Sequence, residues 1–188
     1  MSLRTAEEMY QYCLDNNFGS GMTKKWGEKH FQLIADNLAA DEDVLICFIG
    51  LHNYISATKH DGNFAYALTN KRLICAQKRM IGEAFQTIAL EKINDITTQT
   101  GIIYGAIVID SQSETLNVCV DKDTIRSISA QLHDKVISAK QQNSRPQAAA
   151  SASINIDVEQ LTNLKILLDT GVITQEDFDL AKNKMLGI

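Results

Sequence analysis

The chain has 188 residues, 45% of them hydrophobic and 22% charged, with a formal net charge of −5. That is enough for one core-bearing domain and a small appendage, and the composition is ordinary for a globular protein. The acidic balance argues against nucleic acid and against an anionic membrane surface, and no apolar run approaches the roughly 20 residues that cross a bilayer.

In chain order, the first element reads as a helix. Thr5 and Glu8 form a capping box, and Ala6, Met9, Tyr10 and Cys13 fall on one helical face. No signal peptide is expected, because Glu7 and Glu8 stand where its apolar core would be. The polar and glycine-rich run from Asn16 to Gly21 breaks the pattern. A second helix is expected from Thr23, with Trp26, Phe31, Ile34, Ala35 and Leu38 as its stripe and its end by Ala40.

The pattern then turns to short strands: 44–49, 64–68, 73–76, 84–90, 93–100, 102–109 and 116–120, with turn signals between them. The first is a continuous apolar run, as in a strand buried on both faces. No helix fits between the strands, which excludes parallel β-α-β units and predicts an antiparallel meander closed into a barrel or sandwich. Ile125, Ile128, Leu132 and Val136 then mark a helix whose apolar face covers the sheet.

A polar stretch over 142–156, with the only proline of the chain, reads as a flexible linker. A helical hairpin follows. Leu161, Leu164 and Leu168 supply one face, and Gly171 suits a helix end. Thr174 caps the second helix, and Ile173, Phe178 and Met185 extend the apolar surface. The predicted organisation is therefore 1–40 helical, 41–141 the β domain, 142–156 linker and 157–188 hairpin.

Two stretches resemble known families. Tyr66-Ala67-Leu68-Thr69-Asn70-Lys71-Arg72-Leu73-Ile74, followed by Ile88-Ala89-Leu90-Glu91-Lys92-Ile93, is similar to the hairpin and strand of YokE-like bacterial PH domains. This resemblance implies seven antiparallel strands in a PH-like barrel with a C-terminal capping helix. The run Leu168-Asp169-Thr170-Gly171-Val172-Ile173-Thr174-Gln175-Glu176-Asp177-Phe178 resembles the SHOCT (short C-terminal domain) family. That resemblance implies a bacterial source and a general interaction or oligomerisation role. Neither family carries catalytic residues to transfer, and the first 40 residues fall under neither.

The four cysteines, Cys13, Cys47, Cys75 and Cys119, have no metal or redox spacing and read as buried hydrophobes in a reducing cytosol. His30, His52, His60 and His133 show no ligand spacing and read as exposed or half-buried. No nucleophile motif is present, so neither enzyme activity nor a cofactor or metal is expected. Gly19-Ser20-Gly21-Met22-Thr23-Lys24-Lys25 has the composition of a phosphate cradle without the Walker spacing, and reads as a hinge before a capped helix.

Three interaction surfaces remain. About 30 residues cannot bury a self-sufficient core. Leu161, Leu164, Leu168, Ile173, Phe178 and Met185 therefore need a partner surface: their own domain, a second copy or another protein. Lys71, Arg72, Lys78 and Arg79 flank one strand and form a candidate rim for anionic lipid. The 102–109 run, if it lay at a sheet edge, would invite subunit pairing. The reading favoured is a cytoplasmic, non-enzymatic interaction and assembly protein that forms homo-oligomers. Peripheral lipid binding is the alternative.

Overall fold

The computed structural model describes residues 3–19, 22–101, 104–144, 165, 168 and 174–186. The chain separates into two units, Met1–Arg145 and Pro146–Ile188.

The first unit opens with two helices, α1 (Ala6–Asp15) and α2 (Lys24–Ala35). The Thr5–Glu8 box is formed in both directions at the start of α1, and Thr23 caps α2 through the Trp26 amide. Helix α2 ends at Ala35, short of Ala40. The Asn37 side-chain amide donates to the Leu33 carbonyl and the Glu42 carboxylate accepts from the Ala39 amide, so side chains take up groups that a longer helix would have used.

Seven strands follow: β1 (Val44–Leu51), β2 (Asn63–Thr69), β3 (Arg72–Lys78), β4 (Glu83–Ala89), β5 (Ile93–Thr100), β6 (Tyr104–Ser111) and β7 (Thr115–Asp121). Every pairing is antiparallel. The predicted barrel is not formed. The strands make one open sheet in the order β4-β3-β2-β1-β7-β6-β5, with β4 and β5 at its two ends.

Two local features explain the open form. Between β4 and β5 a 3-10 turn, Leu90–Lys92, carries the chain round a corner. It is tied down where the Leu90 amide donates to the Lys71 carbonyl and the Gln112 amide to the Lys92 carbonyl. In the middle of the sheet, β1 and β7 pair at one position only, Leu51 with Cys119. The sheet is thus a four-strand meander and a three-strand meander meeting at a single rung.

Strands β1 to β3 are buried on nearly every residue, whereas β4 and β6 alternate. The cause lies in the first 35 residues, which pack α1 on β1 and α2 on β2 and β3. Met9, Phe31 and Ile34 are fully buried there. The two helices approach closely because Gly27 has no side chain; a Cβ at that position would lie 2.2 Å from the Tyr10 ring. Inside the core, Phe48 and Tyr66 stack with ring centroids 4.8 Å apart, a geometry that contributes about 1 kcal/mol beyond burial.

The helix α3 (Ile125–Ser144) closes the β region. Its predicted stripe of Ile125, Ile128, Leu132 and Val136 is buried, and it touches β1, β2, β5 and β6. Gly105 on β6 lets Ile125 descend onto the sheet, where a Cβ would come within 2.3 Å of its Cδ1.

In the second unit, the described helix is α4 (Gln175–Leu186). Thr174 and Asp177 cap it reciprocally, at 3.2 Å from the Thr174 amide and 3.3 Å from the Asp177 amide. Leu161, Leu164, Gly171, Ile173, the linker and the first helix of the predicted hairpin lie outside the described residues, apart from Lys165 and the half-buried Leu168.

Candidate functional site

The first candidate site is built on the turn between β2 and β3, the Thr69-Asn70-Lys71-Arg72 motif. Glu42, 1% exposed, receives Arg72 Nε on Oε1 at 2.8 Å and Arg72 Nη2 on Oε2 at 2.9 Å. The Thr69 hydroxyl and the Ala39 amide add bonds of 2.8 and 3.1 Å to the same carboxylate. Burial alone would raise the Glu42 carboxyl. Arg72, the Ala39 amide and the Thr69 hydroxyl outweigh it and hold the group below the usual carboxylate range. Beside it, Lys71 pairs with Asp41 at 2.6 Å, and the Asn70 side chain accepts from the Asp43 amide. The turn clamps the segment entering β1 to the β2–β3 hairpin. Its cations are consumed by the acidic run Asp41-Glu42-Asp43 that follows the second helix.

The four cations of the predicted rim do not come together. Lys71 and Arg72 sit at the start of β3, and Lys78 and Arg79 at its far end. A strand of this length separates them by about 20 Å. Lys78 pairs with Glu83 at 3.0 Å, and Arg79 Nε donates to Gln77 Oε1 at 2.9 Å.

The second candidate is the tip of the β3–β4 hairpin. Met80 and Ile81 occupy the turn and are 102% and 93% exposed. Phe85, on the outer face of β4, is exposed as well. Met80 and Ile81 fall between the strands expected at 73–76 and 84–90. The available signal was two large apolar residues in a turn whose ordinary residues are small or polar. Strand β6 is internal, between β5 and β7, so the condition attached to the 102–109 run is not met; Ile102 and Ile103 lie outside the described residues. The edges are β4 and β5.

Polar groups inside the domain serve packing. His30 and His52 are both 3% exposed, more buried than the sequence suggested. His52 stacks on Phe64 and shares a 2.7 Å hydrogen bond between Nδ1 and the Tyr66 hydroxyl. Burial lowers its pKa, against the opposing charges of Asp61 and Glu114. His30 stacks on Trp26 and donates from Nδ1 to the Trp26 carbonyl; burial lowers its pKa too. All four cysteines are buried and unbridged, and burial raises the thiols of Cys47, Cys75 and Cys119. Among the described residues, no group of three or more His, Cys, Asp or Glu is placed to hold a metal ion.

A small cavity of about 190 Å³ lies where β1 and β7 part, lined by Gly19, Met22, Leu51, Asn63, Tyr104 and Asp121 among others. Ser20 and Gly21, the centre of the glycine-rich run, lie outside the described residues. In the tail, Phe178 is half-buried, and Met185 falls on α4 with its side chain outside the description. Among the described residues no helix is long and apolar enough to cross a membrane.

Comparison with known proteins adds the following. The family model described as "Bacterial PH domain" matches residues 38–134, just over half of the chain. Among solved structures, a DUF1696 family protein with a pleckstrin-homology domain from Shewanella loihica aligns at 13% identity, covering 56% of this chain and 91% of its own, with a TM-score of 0.39. The hSac2 domain of the human phosphoinositide phosphatase Sac2 aligns at 14% identity over 66% of this chain and 95% of its own, with a TM-score of 0.42. A structure of the Vav1 exchange factor with its PH and C1 domains aligns at 8% identity over 77% of this chain and 35% of its own, with a TM-score of 0.39. No curated protein matches. The family match spans the motif turn, all seven strands and the first half of α3, and the chain belongs to the bacterial PH domain family.

Proposed function

We propose that the chain is a non-catalytic interaction and assembly protein of a bacterial cytoplasm. Its PH-like domain is a docking scaffold, and its SHOCT-like tail joins copies of the chain or recruits a protein partner. The observation that carries this reading is the uncovered apolar surface of Met80, Ile81 and Phe85 at one end of the sheet. Burying such side chains stabilises a complex by about 1.5–3 kcal/mol each before the costs of association are subtracted. The internal pairing of Lys71, Arg72 and Lys78 with carboxylates supports protein over polyanion as the partner. In the tail, Leu161, Leu164, Leu168, Ile173, Phe178 and Met185 form the proposed apolar face.

Light scattering on the full chain and on its Phe178→Asp variant tests the assembly function. An oligomer that the tail substitution takes apart assigns assembly to the tail. A full chain that is monomeric at every concentration rejects assembly.

One observation favours a second reading. Lys78 and Arg79 stand next to the exposed Met80 and Ile81, a pairing of cation and apolar side chain suited to the surface of an anionic bilayer. This reading expects salt-sensitive sedimentation with phosphatidylserine vesicles, weakened by Arg79→Glu. Absence of binding at low salt ends it.

A further inference from the structure

The two edges of the sheet are treated differently. On β5, the ladder with β6 is interrupted by a register shift between Ile93 and Asp95. The Asp95 carboxylate takes the Ile96 amide at 2.8 Å, and Lys140 of α3 donates to the Ile93 carbonyl. Bulges, inserted charges and helical cover are the devices by which natural sheets blunt an edge. Strand β4 has no such bulge. Its ladder with β3 runs in regular register from Arg72–Ala89 to Lys78–Glu83, and its seven residues Glu-Ala-Phe-Gln-Thr-Ile-Ala carry a single charge at one end.

The ladder also identifies which β4 groups are free. It is bracketed by Arg79 N–H to the Gly82 carbonyl and Leu90 N–H to the Lys71 carbonyl. Hydrogen-bonded and non-bonded pairs alternate along an antiparallel ladder. Gly82, Ala84, Gln86 and Ile88 therefore bond inward to β3, while Glu83, Phe85 and Thr87 turn their N–H and C=O groups outward. Among the described residues nothing pairs with them.

We propose that two copies of this chain join antiparallel along the outer edge of β4, about a two-fold axis at Phe85. This rests on the assembly function proposed above and names a surface for it in the PH-like domain. Phe85 on the axis faces its own copy, and Glu83 of each chain faces Thr87 of the other. The register brings all three outward residues into bonded pairs and sets ring against ring and carboxylate against hydroxyl, with no like charges opposed. It also brings each hairpin tip, with Met80, Ile81 and the cationic Arg79, to the end of the second copy that carries Ala89 and the exposed Glu91. An isologous contact of this kind needs one self-complementary patch, which β4 supplies.

The test is sedimentation of the full chain as wild type, Phe85→Lys, Thr87→Pro and Phe178→Asp. Phe85→Lys opposes two ammonium groups on the axis, and Thr87→Pro removes an outward N–H while leaving the ladder to β3 intact. Both variants are expected to keep the wild-type circular dichroism spectrum and to weaken the dimer about a hundredfold. Phe85→Cys, exposed to a low-molecular-weight disulfide, is expected to give a covalent dimer with release of two equivalents of the reduced thiol. The expected Cα separation of about 5.5 Å suits a disulfide.

An oligomer untouched by Phe85→Lys and Thr87→Pro, with no cross-link at Phe85→Cys, overturns the edge interface. If Phe178→Asp alone dissociates that oligomer, assembly stands and belongs to the tail. A monomeric wild type overturns both.

Discussion

Glu42 and Arg72, thirty positions apart in the chain, meet through two hydrogen bonds of 2.8 and 2.9 Å on a carboxylate that solvent scarcely reaches. Arg72→Leu leaves that carboxylate buried without its counter-ion and is expected to cost about 3 kcal/mol in urea unfolding. Arg72→Lys keeps the charge but loses the two-pronged geometry, and costs less. The folded pKa of Glu42 is depressed, so its contribution is present above the unfolded carboxyl pKa of about 4.3 and lost as pH falls through the folded value. The wild type should lose stability more steeply than Arg72→Leu in that acid window.

His52 gives a second, separable pH dependence. Its folded pKa is lowered by burial, so the unfolded chain takes up the proton first. The stability it contributes is complete above about pH 6.5 and is lost as pH falls from there toward the folded pKa. His52→Gln should melt lower than wild type at pH 7.5 and show a smaller further drop by pH 5.5. His30 acts in the same direction, so the slope is expected to shrink rather than vanish. Equal slopes for wild type and variant would show that His52 is not the group responsible.

Gly27 reverses an ordinary rule. Glycine to alanine inside a helix normally stabilises by about 1 kcal/mol. Here the added methyl would lie 2.2 Å from the Tyr10 ring, whose hydroxyl is held by the Met22 carbonyl at 2.8 Å. Gly27→Ala is expected to destabilise by about 1–3 kcal/mol, measured by urea unfolding.

The thiols should be silent in the native protein. Cys13 and Cys47 lie 4.0 Å apart, with Cys47 donating to the Met9 carbonyl, and all four cysteines are buried. Ellman's reagent is expected to find no fast thiol in the folded chain and four after unfolding. A fast-reacting native thiol at Cys13 or Cys47 would show that the contact between α1 and β1 opens readily.

Much of this domain was legible in its residues. The Thr5 box, the seven short strand segments and the stripe from Ile125 to Val136 each encode a local geometry that the structure keeps. The continuous burial of the 44–49 run was readable too, although its cause was not. The helices that cover β1 announce their own amphipathic faces, but nothing in them names the strand they meet. Barrel closure failed as an inference because it depends on whether β4 and β5 find each other. That is a long-range pairing decided by a three-residue turn at Leu90–Lys92. The spacing of the four cations was likewise a matter of long-range geometry. Lys71, Arg72, Lys78 and Arg79 are close in sequence, but a strand spreads them to its two ends, and the acids that take up Lys71 and Arg72 lie about thirty residues upstream. The apolar tip is visible in the sequence as Met80 and Ile81, but a turn position does not by itself tell whether its side chains are exposed.

The single rung between Leu51 and Cys119 has a kinetic consequence. Beyond that rung and the bond from the Tyr54 amide to the Asn117 carbonyl, few backbone hydrogen bonds hold the two meanders together, so their mutual dependence runs largely through side chains, and α3 touches strands of both. The four-strand meander draws on contacts close in sequence and can order early. The three-strand meander is equally local, but joining it to the first must wait until a loop of more than sixty residues has closed, between positions 51 and 119, and α3 has docked. Amide exchange should therefore divide the sheet at that rung, with β5 to β7 opening as a cooperative unit of lower stability than β1 to β3.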